Sequence, residues 1–112
     1  MADDPLRIAQ AAARGFQLLE CEQCARAVRS ALHAAGLGGT WIELRVGSGR
    51  DFMVCLSYDG GQTPITKNGR HVGVRVAERV IDNLHPDGVP LDEWLADFDA
   101  PGGVVVRQTE DL

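Results

Sequence analysis

Cys21 and Cys24 stand three residues apart in LLECEQCARAVRSALHAAGL, residues 18–37, and a third cysteine, Cys55, lies far along the chain. Thiols so placed can ligate zinc, form a redox pair, supply a nucleophile or fill a core. Zinc takes four converging Cys or His ligands, or three with an open position. Cys21, Cys24, Cys55 and one of His71 or His85 would have to meet, and the single C-x-x-C runs straight into a helix instead of bracketing a tight turn. The sequence is therefore read without a metal or other cofactor. A zinc nucleobase deaminase fails on order, since its H-x-E precedes its P-C-x-x-C. A thioredoxin-like redox site needs a strand before the motif and a βαβ unit around it. The segment before Cys21 reads as another helix.

A nucleophilic thiolate needs positive potential, N–H donors for an oxyanion and a base held by a third group. A helix start supplies the first two. Of the three histidines, His33 lies about three turns along the cysteines' own helix and cannot reach its start. His85 precedes Pro86 in a turn, where an imidazole bonded to backbone is the plainer role. His71 opens HVGVRV, and Asp82 nearly closes ERVIDN. A turn centred near Ala77 makes these two cross-strand neighbours, close enough for a carboxylate to orient an imidazole. Asn83 is the second choice as orienter; neighbouring strand residues face opposite ways, so only one of the two can serve. Cys21, at the first turn, is the first choice of nucleophile. Cys24 falls in line with Val28 and Leu32 and reads as core, with Cys55 alternating inside an apolar strand.

These groups must be positioned by a framework that the pattern also predicts. DDPLRIAQAAARGFQLL reads as a short helix with Pro5 in its first turn and a break at Gly15. Cys24, Ala25, Val28, Leu32 and Ala35 form the apolar stripe of a helix from about residue 22 to 35, stopped at Gly36. TWIELRV alternates as a strand, with Trp41, Glu43 and Arg45 on one face. GSGRD is a turn, FMVCLSY (residues 52–58) a strand and DGGQTPITKNG a loop. HVGVRV and ERVIDN form a hairpin without the favoured Asn-Gly turn. HPDGVP is a turn, LDEWLADF a helix with two acids in its first turn, and GGVVVRQTE a last strand. Helices followed by an antiparallel sheet make an α+β domain. Trp41 and Trp94 read as packing. Lys67 and Arg70 read as solvated surface rather than as a site for an acidic substrate.

The chain has 112 residues, enough for one domain with one core, and 45% of them are hydrophobic, which excludes a disordered polymer. The net charge of −5 argues against nucleic acid as the main partner. No apolar run nears the roughly 20 residues of a membrane span, and the acidic start MADDP is no signal peptide. An odd cysteine count and one C-x-x-C do not make a disulfide framework.

From Cys21 onward, CEQCARAVRSALHAAGL resembles the nucleophile helix of transglutaminase-like cores, and HVGVRVAERVIDN their histidine and aspartate strands. The chain is closer still to papain fold toxin 2, a domain of bacterial polymorphic toxin systems. The stretches LLECEQCARAV, GTWIELRVGSG, ITKNGRHVGVRV, VIDNLHPDGVPLDEWLADF and PGG carry that resemblance over about residues 16–103. It implies a papain-like fold with a Cys-His-Asp site on Cys21 (or Cys24), His71 and Asp82, doing acyl transfer on a protein amide as a peptidase, glutamine deamidase or acyltransferase. It also implies a toxin domain used in interbacterial competition, delivered into a target cell and countered by a cognate immunity protein. Relatives often carry Gln before the first cysteine, where this chain has Glu20. A carboxylate there would repel an oxyanion, so Gln17 or Gln23 becomes the candidate donor, and His85 a candidate cleft residue. The rival reading is a non-catalytic or zinc-binding protein-interaction module.

Overall fold

The computed structural model describes residues 4–47, 52–66 and 68–109. Helix α1, Pro5–Ala13, starts where Asp4 accepts the Leu6 N–H at 3.0 Å and proline fills the first helical position. Helix α2, Cys21–Ala34, buries Cys24, Ala25, Val28 and Leu32 of the predicted stripe, while Ala35 is its half-buried C-cap. It ends at Gly36, whose φ of +74° lets the Leu37 N–H return to Leu32 O at 2.8 Å.

The strands follow: β1 Thr40–Val46, β2 Val54–Cys55, β3 Arg70–Val76, β4 Arg79–Ile81 and β5 Val89–Pro90. Then come helix α3, Leu91–Ala96, and strands β6 Phe98–Asp99 and β7 Val104–Thr109. A five-stranded sheet runs β5-β4-β3-β1-β7, every pairing antiparallel, and β2 with β6 makes a separate ribbon. Val72, Val74 and Val76 face α1 and α2, as period-two alternation requires. Ile42, Leu44 and Val46 face away from α1 and α2, onto Met53, Cys55, Trp94 and Phe98. The fold is α+β, as the element order predicts.

Several boundaries differ from the pattern. Only Val54–Cys55 of FMVCLSY is strand. Its partner β6 has just two residues, and the chain turns at Leu56, whose N–H is held by Asp97 O at 2.7 Å. Phe98 belongs to β6 and not to the preceding helix. In the β3–β4 hairpin Val76 pairs with Arg79 and Val74 with Ile81, so β4 ends before Asp82. Asp82 therefore does not oppose His71. It stands where the register would oppose Gly73, one diagonal step from His71 on the same face. Residues 48–51 of the predicted turn GSGRD, and Lys67, lie outside the described residues.

Candidate active site

Three segments meet at the start of α2. Cys21 is its first residue, His71 comes from β3 and Asp82 from just beyond β4. His71 and Asp82 are both fully buried, and the His71 Nε2–H donates to Asp82 Oδ2 at 2.8 Å. The Nδ1 atom of His71 is buried without a partner at hydrogen-bond distance. Nε2 is committed to Asp82, which leaves Nδ1 as the ring atom open to the neighbouring Cys21 thiol.

The carboxylate is heavily supported. Asp82 Oδ2 also accepts from the Trp94 indole N–H at 2.8 Å. Oδ1 accepts the Leu84 N–H at 2.9 Å, the His85 N–H at 2.6 Å and the His85 ring Nδ1–H at 2.8 Å. Burial pushes this carboxyl up, but its bonds to His71 and His85 and their charges outweigh burial and hold it well below the usual range. Burial likewise pushes the His71 ring down, and the bonds and charges of Asp82 and Cys21 overcome it, raising the ring to about 9. At Cys21 burial raises the thiol, while the His71 bond and charge and the Val72 backbone outweigh it, so the thiol ionises below its ordinary value. Cys24 does the opposite. It is fully buried, its thiol reaches only Ala13 O at 3.8 Å, and burial pushes it up to about 12. The two vicinal thiols thus differ by place on the helix: the neighbouring His71 lowers Cys21, and burial raises Cys24.

A groove of about 280 Å³ opens beside Cys21, lined by Leu19, Glu22, Ile65, Thr66, Asn68 and Arg70. Leu19 holds a φ of +72°, a conformation that costs a branched residue about 1–2 kcal/mol and that sets the chain's approach to the helix start. The first hydrogen bond of α2 runs from the Cys24 N–H to Glu20 O. The N–H groups of Cys21, Glu22 and Gln23 precede it and have no acceptor inside the helix. The Glu20 carboxylate is occupied by the Gln17 N–H at 2.7 Å.

The other expected residues are placed elsewhere. Gln17 and Gln23 are exposed and do not line the groove. Asn83 gives its amide to Gln17 O at 2.8 Å and makes no bond to His71. His85 sits behind Asp82, bonded to its other oxygen, and is absent from the groove lining. Arg70 pairs with Glu22 and Glu43, so its charge is already matched. Trp94 was legible only as core; its indole donor to Asp82 has no signature in spacing, since it depends on where α3 packs.

A model of the family described as papain fold toxin 2 matches residues 5–99. The chain belongs to that family. No curated protein and no solved structure matches it. The match spans α1 through β6 and includes Cys21, His71 and Asp82. Among the described residues, no helix is long and apolar enough to cross a membrane.

Proposed function

We propose that this papain fold toxin domain is a cysteine-dependent amidohydrolase acting on a protein amide, as a peptidase or glutamine deamidase. One observation carries the reading: the His71 imidazole is anchored at 2.8 Å to a fully buried Asp82 and neighbours the thiol at the start of α2. His71 takes the Cys21 proton, and the thiolate attacks the carbonyl carbon in the groove. The free N–H groups at the start of α2 receive the oxyanion, which removes the need for a glutamine side chain there. The C–N bond then breaks, and the His71 imidazolium returns its proton to the departing amine or ammonia. Water, deprotonated by His71, hydrolyses the thioester and regenerates the thiol. Asp82 holds the ring in place and stabilises its charge throughout.

As a toxin, the domain acts in a target cell after delivery by the producing bacterium, and a cognate immunity protein blocks it at this groove. Toxicity on expression in a bacterial host should disappear in Cys21→Ala and persist in Cys24→Ala. Mass spectrometry of host proteins should then reveal new termini for a peptidase, or Gln converted to Glu for a deamidase. Full toxicity of Cys21→Ala would overturn the reading.

A further inference from the structure

Behind Asp82 lies a second convergence of donors that the proposed reaction does not use. Cys55 Sγ, His85 Nε2 and a carboxylate oxygen of Asp97 all lie within 4.8 Å of one another. The separations are 3.2 Å from Cys55 Sγ to Asp97 Oδ2, 2.8 Å from His85 Nε2 to the same oxygen, and 3.9 Å from sulfur to Nε2. In a tetrahedral zinc site, metal bonds of about 2.0–2.3 Å place such donors roughly 3.3–3.6 Å apart. Shifts of about half an ångström would therefore seat an ion.

Three different segments supply these donors: β2, the turn after β4 and the residue that ends α3. Each is fixed from behind. Asp97 Oδ1 accepts the Ser57 N–H at 3.0 Å. Cys55 is locked into the ribbon opposite Phe98. The His85 Nδ1–H is held by Asp82 at 2.8 Å, leaving Nε2 turned to the other two donors. A carboxylate on the far nitrogen of a ligating imidazole is the outer-shell arrangement typical of zinc-bound histidine. Cys55 itself is fully buried, which argues against a second nucleophile, and Ser57 beside it is exposed to solvent. The Ser57 hydroxyl lies 3.5 Å from Cys55 Sγ and 3.4 Å from His85 Nε2, at the remaining corner.

The geometry points to a zinc-binding site formed by Cys55, His85 and Asp97, with the fourth position beside Ser57. Binding displaces the Cys55 thiol proton and the His85 Nε2 proton to solvent. The thiolate and the Asp97 carboxylate then balance the charge of the ion. The site is distinct from the C-x-x-C pair and independent of the nucleophile assignment.

The test is zinc titration of the purified, chelator-stripped domain against a chromophoric competitor, with cobalt as a spectroscopic substitute. One ion should bind per chain, and cobalt should show a thiolate charge-transfer band. That band should persist in the Cys21→Ser, Cys24→Ser double variant, where Cys55 is the remaining thiol. Asp97→Asn and Cys55→Ser should each weaken zinc by at least about tenfold. Unchanged circular dichroism separates that loss from misfolding. No uptake by the wild type, or a band lost with Cys21 and Cys24, would overturn the proposal. Alkylation of Cys21 read on the same samples reports the nucleophile assignment separately.

Discussion

His71 and Asp82 meet on the diagonal of a hairpin, not across a rung. The register places Asp82 opposite Gly73, and His71 opposite Leu44 on the neighbouring strand. The position opposite Asp82 therefore carries no side chain. The space it leaves is taken by Val80 and by Trp94, which donates to the same oxygen as His71.

Gly73→Ala tests that relationship. A Cβ there would lie 2.8 Å from Val80 Cγ1 and 2.9 Å from Trp94 Cζ2, closer than van der Waals contact. Trp94 must move away, and its bond to Asp82 stretches with it. Denaturant unfolding should show a loss of about 1–3 kcal/mol, the usual cost of overpacking. An alanine variant as stable as the wild type would mean that Trp94 is not wedged as described.

The pH dependence of Cys21 alkylation follows from the coupled pair. Iodoacetamide should label Cys21 at a pH below that at which an ordinary thiol, near 9.0, reacts. A second change in rate should come near 9, where the His71 imidazolium loses its proton. In His71→Ala the partner that lowers the thiol is gone while burial remains, so labelling should shift to 9 or above. Cys24, raised to about 12, should stay unlabelled in the folded protein.

Stability should peak in mildly acidic solution. The depressed Asp82 carboxyl contributes stability that is present above its unfolded value of 3.8 and is lost as pH falls toward its folded value. The raised imidazoles work in the other direction. Their contribution is complete below 6.5 and is lost as pH rises through about 9 for His71 and about 11 for His85. These are the same ion pairs seen from both ends. Unfolding free energies measured in chelator should therefore be highest between about pH 4 and 6.5. A maximum above pH 8 would contradict the buried pairing.

Arg70 offers a contrast between structure and recognition. It lines the groove but is paired with Glu22 and with Glu43, which is nearly buried. Arg70→Gln should cost about 1.5–3 kcal/mol, the range for a hydrogen bond to a charged group, with Arg45 still holding Glu43. Host toxicity should fall only as far as stability does. Lost toxicity at unchanged stability would make Arg70 a substrate contact instead.

The sequence by itself determined the two long helices, the long strands and the residue types that meet at the candidate site. Periodicity marked α2 and β1 because one face of each is apolar, and a helix or strand repeats that face every 3.6 or 2 residues. It also separated Cys21 from Cys24, since only one lies on the buried stripe. It placed His71 and Asp82 on a common hairpin and on one face, but two residues out of register, because the turn at Ala77 and Glu78 carries no strong turn signal. Tertiary structure alone decided what surrounds Asp82. The Trp94 donor, the second imidazole at His85 and the meeting of Cys55 with Asp97 all depend on how α3 and the β2–β6 ribbon pack against the sheet. Trp94 lies 12 positions from Asp82, and Cys55 lies 42 from Asp97; contacts at such separations leave no period in the chain. They arise from side-chain packing and the satisfaction of buried polar groups, which only the folded whole enforces.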